Sequence, residues 1–149
     1  MTRRFFAAIL AGSLSACGSV DDGISGSYVG GDDTAVLQLN LVEQGDGEIS
    51  GNLAFSELDY RAGNLKLTNR PISGIRNGEQ ISLLAHGHDW GPADTPLSLE
   101  VSGNSLVLFM PANGQSLEMQ PMNQEEYRER LADFAEALNA NDVGLLPEE

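Results

Sequence analysis

The chain has 149 residues, enough for one ordinary domain, with 8 basic against 22 acidic side chains and a formal charge of −14. A surface this negative excludes nucleic acid and anionic headgroups as electrostatic partners; it suits cationic proteins, metals or plain solubility. A single Cys rules out an internal disulfide, so a packed core has to hold the fold alone.

The chain starts Met1-Thr2-Arg3-Arg4, continues with an apolar stretch from Phe5 to Leu14, and reaches Leu14-Ser15-Ala16-Cys17. A short basic head, an apolar run too brief to span a bilayer and small residues at its end predict an export signal over residues 1–16. Leu14-Ser15-Ala16-Cys17 resembles the lipobox of bacterial lipoproteins. That resemblance implies cleavage before Cys17 and acylation of its thiol, with an ordinary secretory signal as the alternative. Two or three acyl chains would hold the protein on a membrane essentially permanently, since each buried CH₂ contributes about 0.8 kcal/mol. Thr2-Arg3-Arg4-Phe5-Phe6 is similar to the start of a twin-arginine signal, although Ala7 and Ala8 depart from it and general secretion is the preferred expectation. Gly18, rather than Asp, follows the Cys, and under the enterobacterial sorting rule this implies the outer membrane, facing the periplasm. Removing residues 1–16 leaves 133 residues, and losing Arg3 and Arg4 takes the formal charge from −14 to −16.

Residues 17–26 are small and polar and read as a lipidated tether, with a β domain expected over residues 27–120. Ala35, Leu37, Leu39 and Leu41 alternate along one strand face, as do Ile49, Leu53 and Phe55 with Gly51 in register. Leu65 with Leu67 follows, then Ile81-Leu83-Ala85, Leu97-Leu99-Val101, Leu106-Leu108-Met110 and Leu117 with Met119. Gly45-Asp46-Gly47, Asn77-Gly78, Gly103-Asn104 and Asn113-Gly114 separate these runs. Asn-Gly between alternating runs predicts a hairpin in which both turn residues take positive φ. Ile24-Ser25-Gly26 recurs as Ile49-Ser50-Gly51, Ile72-Ser73-Gly74 and Val101-Ser102-Gly103, and glycine inside a strand permits the bending that a closing barrel needs.

Past Pro121 the period changes to helical. Asn123 with Glu126 three residues on predicts a capping box, and Tyr127, Leu131, Phe134 and Leu138 form one stripe. A helix over 121–140 is therefore expected to pack on the barrel and cover a mouth or an edge, leaving 141–149 as an acidic tail. The expected fold is mainly β, an antiparallel meander barrel of about eight strands with one C-terminal helix, or a sandwich of the same strands. The layout resembles the lipocalin-like and wider calycin architecture. Gly26-Ser27-Tyr28 stands where lipocalins and avidins carry Gly-x-Trp, which implies that Tyr28 plugs one end of the barrel.

His86-Gly87-His88-Asp89-Trp90 holds both histidines and the only tryptophan. In an extended segment His86 and His88 face the same way, so with Asp89 they form a candidate Zn²⁺ or Cu²⁺ site, although a third strong ligand is missing. The preferred reading is a polar loop between strands, with no metal or other cofactor beyond the lipid on Cys17. No Gly-x-Ser-x-Gly elbow, phosphate-cradling glycine loop or calcium-loop spacing is present, and the chain reads as non-enzymatic. The expected function is a membrane-anchored binding module for an apolar ligand or an envelope protein. Ser25-Gly26-Ser27-Tyr28 is also similar to the Ser-Gly-x-x-Tyr motif of membrane-bound inhibitors of C-type lysozyme, one residue short, which implies a cationic enzyme as an alternative target.

Overall fold

The computed structural model describes residues 23–32, 35–59, 64–87, 93–110 and 114–142. Eight antiparallel strands, joined in chain order, close into a barrel: β1 (Gly26–Gly31), β2 (Ala35–Glu43), β3 (Glu48–Asp59), β4 (Asn64–Asn77), β5 (Gln80–Ala85), β6 (Thr95–Ser102), β7 (Ser105–Phe109) and β8 (Ser116–Pro121). The barrel, not the sandwich, is therefore the architecture. Closure rests on a short seam in which Tyr28 pairs with Pro121 and Val29 with Gln120.

Alternation decides what lies inside. Leu37, Leu39 and Leu41 face inward with Ile49 and Leu53, and the inward residues of β5 to β8 join them in one continuous cluster. An interior of eight strands is just wide enough for such side chains to fill. Ile24 belongs to the same cluster, and its backbone N–H donates to Glu43 Oε2 at 2.9 Å. The end of the expected tether is therefore docked on the barrel.

Along β4 the expected face is inverted. Register sets Arg70 opposite Leu53 and Thr68 opposite Phe55, so Thr68, Arg70 and Ile72 point inward while Leu65 and Leu67 point outward. Leu65 is covered from outside, and Leu67 stays 54% exposed.

The turns also depart from expectation. No described non-glycine residue has positive φ, so Asn77 does not share that conformation with Gly78. Asn77 pairs with Gln80 and Ser102 with Ser105, which leaves Gly78-Glu79 and Gly103-Asn104 as two-residue turns. Glycine alone takes positive φ in each, at its first central position, as a type II′ turn requires.

The two central Ile-Ser-Gly segments lie opposite each other. Ile49 pairs with Gly74, Ser50 with Ser73, and Gly51 with Ile72. Each isoleucine thus stands directly opposite a glycine on the inward face.

The helix, α1 (Gln124–Asp142), begins with the expected capping box. Asn123 Oδ1 accepts from the Glu125 and Glu126 amides at 2.9 and 3.0 Å, and Glu126 Oε2 accepts from the Asn123 amide at 2.9 Å. Tyr127, Phe134 and Leu131 pack with Val29 and Val36, which point outward from β1 and β2. The helix therefore packs on the outward faces of β1 and β2. Leu138 and the tail from residue 143 lie outside the described side chains.

Two polar atoms, Ser56 Oγ and Tyr127 Oη, are buried with no hydrogen-bond partner among the described residues. A buried hydroxyl without a partner costs about 1–3 kcal/mol. Tyr127→Phe should thus raise stability by about 1 kcal/mol, read as an upward shift of the denaturation midpoint; a loss of similar size would reveal a hidden partner.

Candidate functional site

One end of the barrel is closed by charge. Arg76 Nη1 lies 3.1 Å from Glu43 Oε2, with both side chains largely shielded. Tyr28 is buried in the barrel near this pair. Burial pushes its phenol pKa up, the Arg76 charge opposes that shift and the Glu43 charge adds to it. A cavity lined by Gly23, Ser25, Glu43, Gln44, Gly45, Gly47 and Arg76 opens here, where the chain enters from its N-terminal segment.

The other end is organised by Arg70. It is a guanidinium on an inward position of β4, only 2% exposed. Its Nε donates to the His86 carbonyl at 2.9 Å, Nη1 to Thr95 Oγ1 at 3.1 Å and Nη2 to the Ala93 carbonyl at 3.2 Å. The rigid donor fork thus grips both ends of the loop joining β5 to β6.

That grip fixes His86 on the outer wall. Its amide donates to the Pro71 carbonyl, which extends the β4–β5 ladder by one pair. Ser73 is the diagonal outward neighbour, and its Oγ lies 2.8 Å from His86 Nε2. On the other side His86 Nδ1 lies 3.3 Å from Asp94 Oδ2, while Asp94 Oδ1 accepts from the Gly87 amide at 3.0 Å. An ionised carboxylate only accepts, so Nδ1 carries the proton in neutral His86. Nε2 is then the acceptor, and the Ser73 hydroxyl donates to it.

The Gly87 amide bond, followed by the His86 contact, holds Asp94 below its ordinary pKa of 3.8. A carboxylate with a depressed folded-state pKa stabilises the loop above that ordinary value, and the contribution is lost as pH falls through the lowered one. The Asp94 clasp is therefore fully formed at neutral pH.

Of the sequence-predicted site, His86 is placed here with both ring nitrogens engaged. His88, Asp89 and Trp90, like Cys17 and Gly18, lie outside the described residues. Among the described residues no group of three or more His, Cys, Asp or Glu side chains is positioned to hold a metal. Ser73, Asp94 and Arg70 were missed. The Asn77-Gly78 hairpin register, counted back from the turn, sets Pro71 against His86 and Ser73 two residues away on the same face, and this signal was available.

Two uncharged rows cross the outer wall at Ser73, bordered by Glu48, which pairs with Ile75, and by Glu100 and Glu118 in the next row. Ile75, Ser82, Ser98, Phe109 and Ser116 succeed one another directly across β4 to β8, and Val42, Ser50, Ser73, Leu84 and Pro96 form the adjacent row across β2 to β6. Val42, Ile75 and Phe109 are 57%, 54% and 41% exposed. On a chain carrying −14, two rows built of Ser, Pro and apolar residues stand apart from the rest.

No family model matches this chain, and neither the curated proteins nor the solved structures yield a match. The chain is an eight-stranded closed antiparallel barrel with a C-terminal helix on its wall.

Proposed function

We propose that this chain is a lipid-anchored envelope protein, held through Cys17, that binds another envelope protein with its outer wall. The observation carrying the choice of a protein over an apolar small molecule is the interior, where buried side chains from all eight strands pack as one cluster. A ligand would have to displace side chains packed at near-crystalline density. The rows bearing Val42, Ile75 and Phe109, bordered by Glu48, offer the surface instead, since exposed apolar anchors inside a polar rim mark the core of a protein interface. No described helix is long and apolar enough to cross a membrane.

Three measurements test this reading. Cys17→Ser should leave the precursor uncleaved and abolish detergent-phase partitioning, and a variant that still fractionates with membranes overturns the anchor. A photo-crosslinker at Ser98 in living cells should give one discrete adduct, lost when Ile75 and Phe109 are both changed to Asp. A fluorescent fatty-acid probe should show no saturable binding; saturable binding would instead restore the apolar-ligand reading.

A further inference from the structure

Ser73, His86 and Asp94 come from a strand, the end of the next strand and the far end of the following loop. Their order along the chain matches no familiar motif, yet such constellations are recognised by geometry and roles rather than by sequence position. The hydroxyl donates to Nε2 at 2.8 Å, and Nδ1 faces a carboxylate at 3.3 Å. The carboxylate is in turn oriented by a backbone amide at 3.0 Å. A nucleophile within reach of a base, with that base oriented by a third group, is the arrangement that activates serine, and such contacts are often loose before substrate binds.

We propose that Ser73 is a nucleophile that hydrolyses short acyl esters displayed on an extended molecule. This inference does not rest on the protein-binding reading. It runs against the non-enzymatic expectation, which followed from the absence of a Gly-x-Ser-x-Gly turn, a phosphate-cradling loop and calcium-loop spacing.

The chemistry closes without any further reagent. Ser73 Oγ attacks the ester carbonyl carbon as its proton passes to His86 Nε2. The bond from carbonyl carbon to alcohol oxygen then breaks, and the alcohol leaves with that proton. Water next attacks the acyl-Ser73 carbonyl, giving a proton to Nε2, and Ser73 Oγ departs and recovers it. One ester and one water become one acid and one alcohol. Asp94 touches neither substrate nor reacting atoms; it is a positioning residue that keeps the proton on Nδ1 and steadies the imidazolium.

The surroundings select the substrate class. Ser73 stands on the convex outer wall between Ser50 and Leu84, with Pro71 and Ile75 on either side along β4. A convex wall of small residues admits a short acyl group but offers no slot for a long chain. It is equally open to a carrier too large for any pocket. Asn52, Glu48 and Ser82 are the diagonal polar neighbours, and of these Asn52 carries an amide that can donate two hydrogens. It pairs with Pro71, diagonal to Ser73 at about 7 Å between Cα atoms, within reach of a side-chain amide. One of its amide hydrogens is used by Asn69 Oδ1 at 3.1 Å, and the other can meet the oxyanion.

The test uses the purified chain with para-nitrophenyl acetate, followed by peptide mass spectrometry and labelling with a fluorophosphonate. The expected result is steady turnover, an acetyl or phosphonyl adduct on Ser73, and no adduct in Ser73→Ala. Asp94→Asn keeps an acceptor for the Gly87 amide but cannot accept from Nδ1. It should lower kcat by about 100-fold or more with KM little changed, whereas a purely structural Asp94 would leave kcat alone. Asn52→Ala should lower kcat by about tenfold or more. If Ser73→Ala, with an unchanged melting temperature, hydrolyses the ester at the wild-type rate, or if the adduct maps elsewhere, the proposal is overturned.

Discussion

Gly51→Ala and Gly74→Ala, made singly, should each cost the barrel about 3 kcal/mol or more, a fall in Tm of roughly 10 °C or greater for a domain of this size. Both glycines face the interior, where alternation would otherwise set a side chain. A Cβ on residue 51 would lie 1.9 Å from the Asn40 carbonyl oxygen, and one on residue 74 would lie 2.1 Å from that of Ser82. Those oxygens belong to the neighbouring strands β2 and β5, so relief requires moving the ladder itself rather than rotating a side chain. The bend that brings neighbouring backbones this close is what lets the sheet curl shut, and a methyl group there pushes it open. At residue 74 the Leu83 side chain would be displaced as well, its Cδ2 lying 2.6 Å from such a Cβ. Gly45 supplies the control. Nothing lies within 4 Å of a Cβ built there, and Gly45→Ala should stay within about 0.5 kcal/mol of wild type. Melting curves in which all three variants coincide would show that the close approach is not needed for closure.

Period-two alternation made the strands legible, since Leu37-Leu39-Leu41 and Leu97-Leu99 do face the core. The capping box at Asn123 was equally readable, because it depends on residues three apart. The barrel was expected from the meander layout, but its seam was not readable, as it joins Tyr28 to Pro121 across most of the domain and no local pattern encodes that pairing. The inversion of β4 has a different cause. Leu65 and Leu67 present an apolar face that α1 partly covers from outside, and the inward face is interrupted by Thr68 and Arg70. A reading that ranks hydrophobic residues as buried will choose the wrong side whenever a second layer packs on the outer wall. The same bias hid the site. His86 was conspicuous within a cluster of local neighbours, whereas its partners Ser73 and Asp94 reach it through hairpin register and loop return.

Arg70→Ala should be comparably costly and should separate fold from site. Its guanidinium satisfies the His86 and Ala93 carbonyls and the Thr95 hydroxyl, each a charge-assisted bond at the mouth of the barrel. Such bonds contribute about 1.5–3 kcal/mol apiece before the cost of burying the charge is subtracted, so a net loss near 3 kcal/mol is expected, or roughly 10 °C in Tm. Arg70→Met tells more. Its apolar stem can occupy the inward space left by the arginine stem, and removing the charge also removes its desolvation cost, so most of the stability should return. The loop, however, loses its grip at both ends. Hydrogen exchange at the Gly87 amide, which donates to Asp94 at 3.0 Å, should therefore accelerate in Arg70→Met while amides within β2 and β3 keep their protection. Arg70→Lys should resemble Met rather than wild type, because a single ammonium cannot span acceptors at both ends of the loop as the planar fork does. Ester turnover provides the last comparison. If Ser73 depends on His86 being held where Arg70 places it, Arg70→Met should lose kcat although Ser73, His86 and Asp94 are all present. Full Gly87 protection and wild-type turnover in Arg70→Met would mean that the strand ladder through Pro71 and His86 fixes the site by itself, with Arg70 merely filling the mouth.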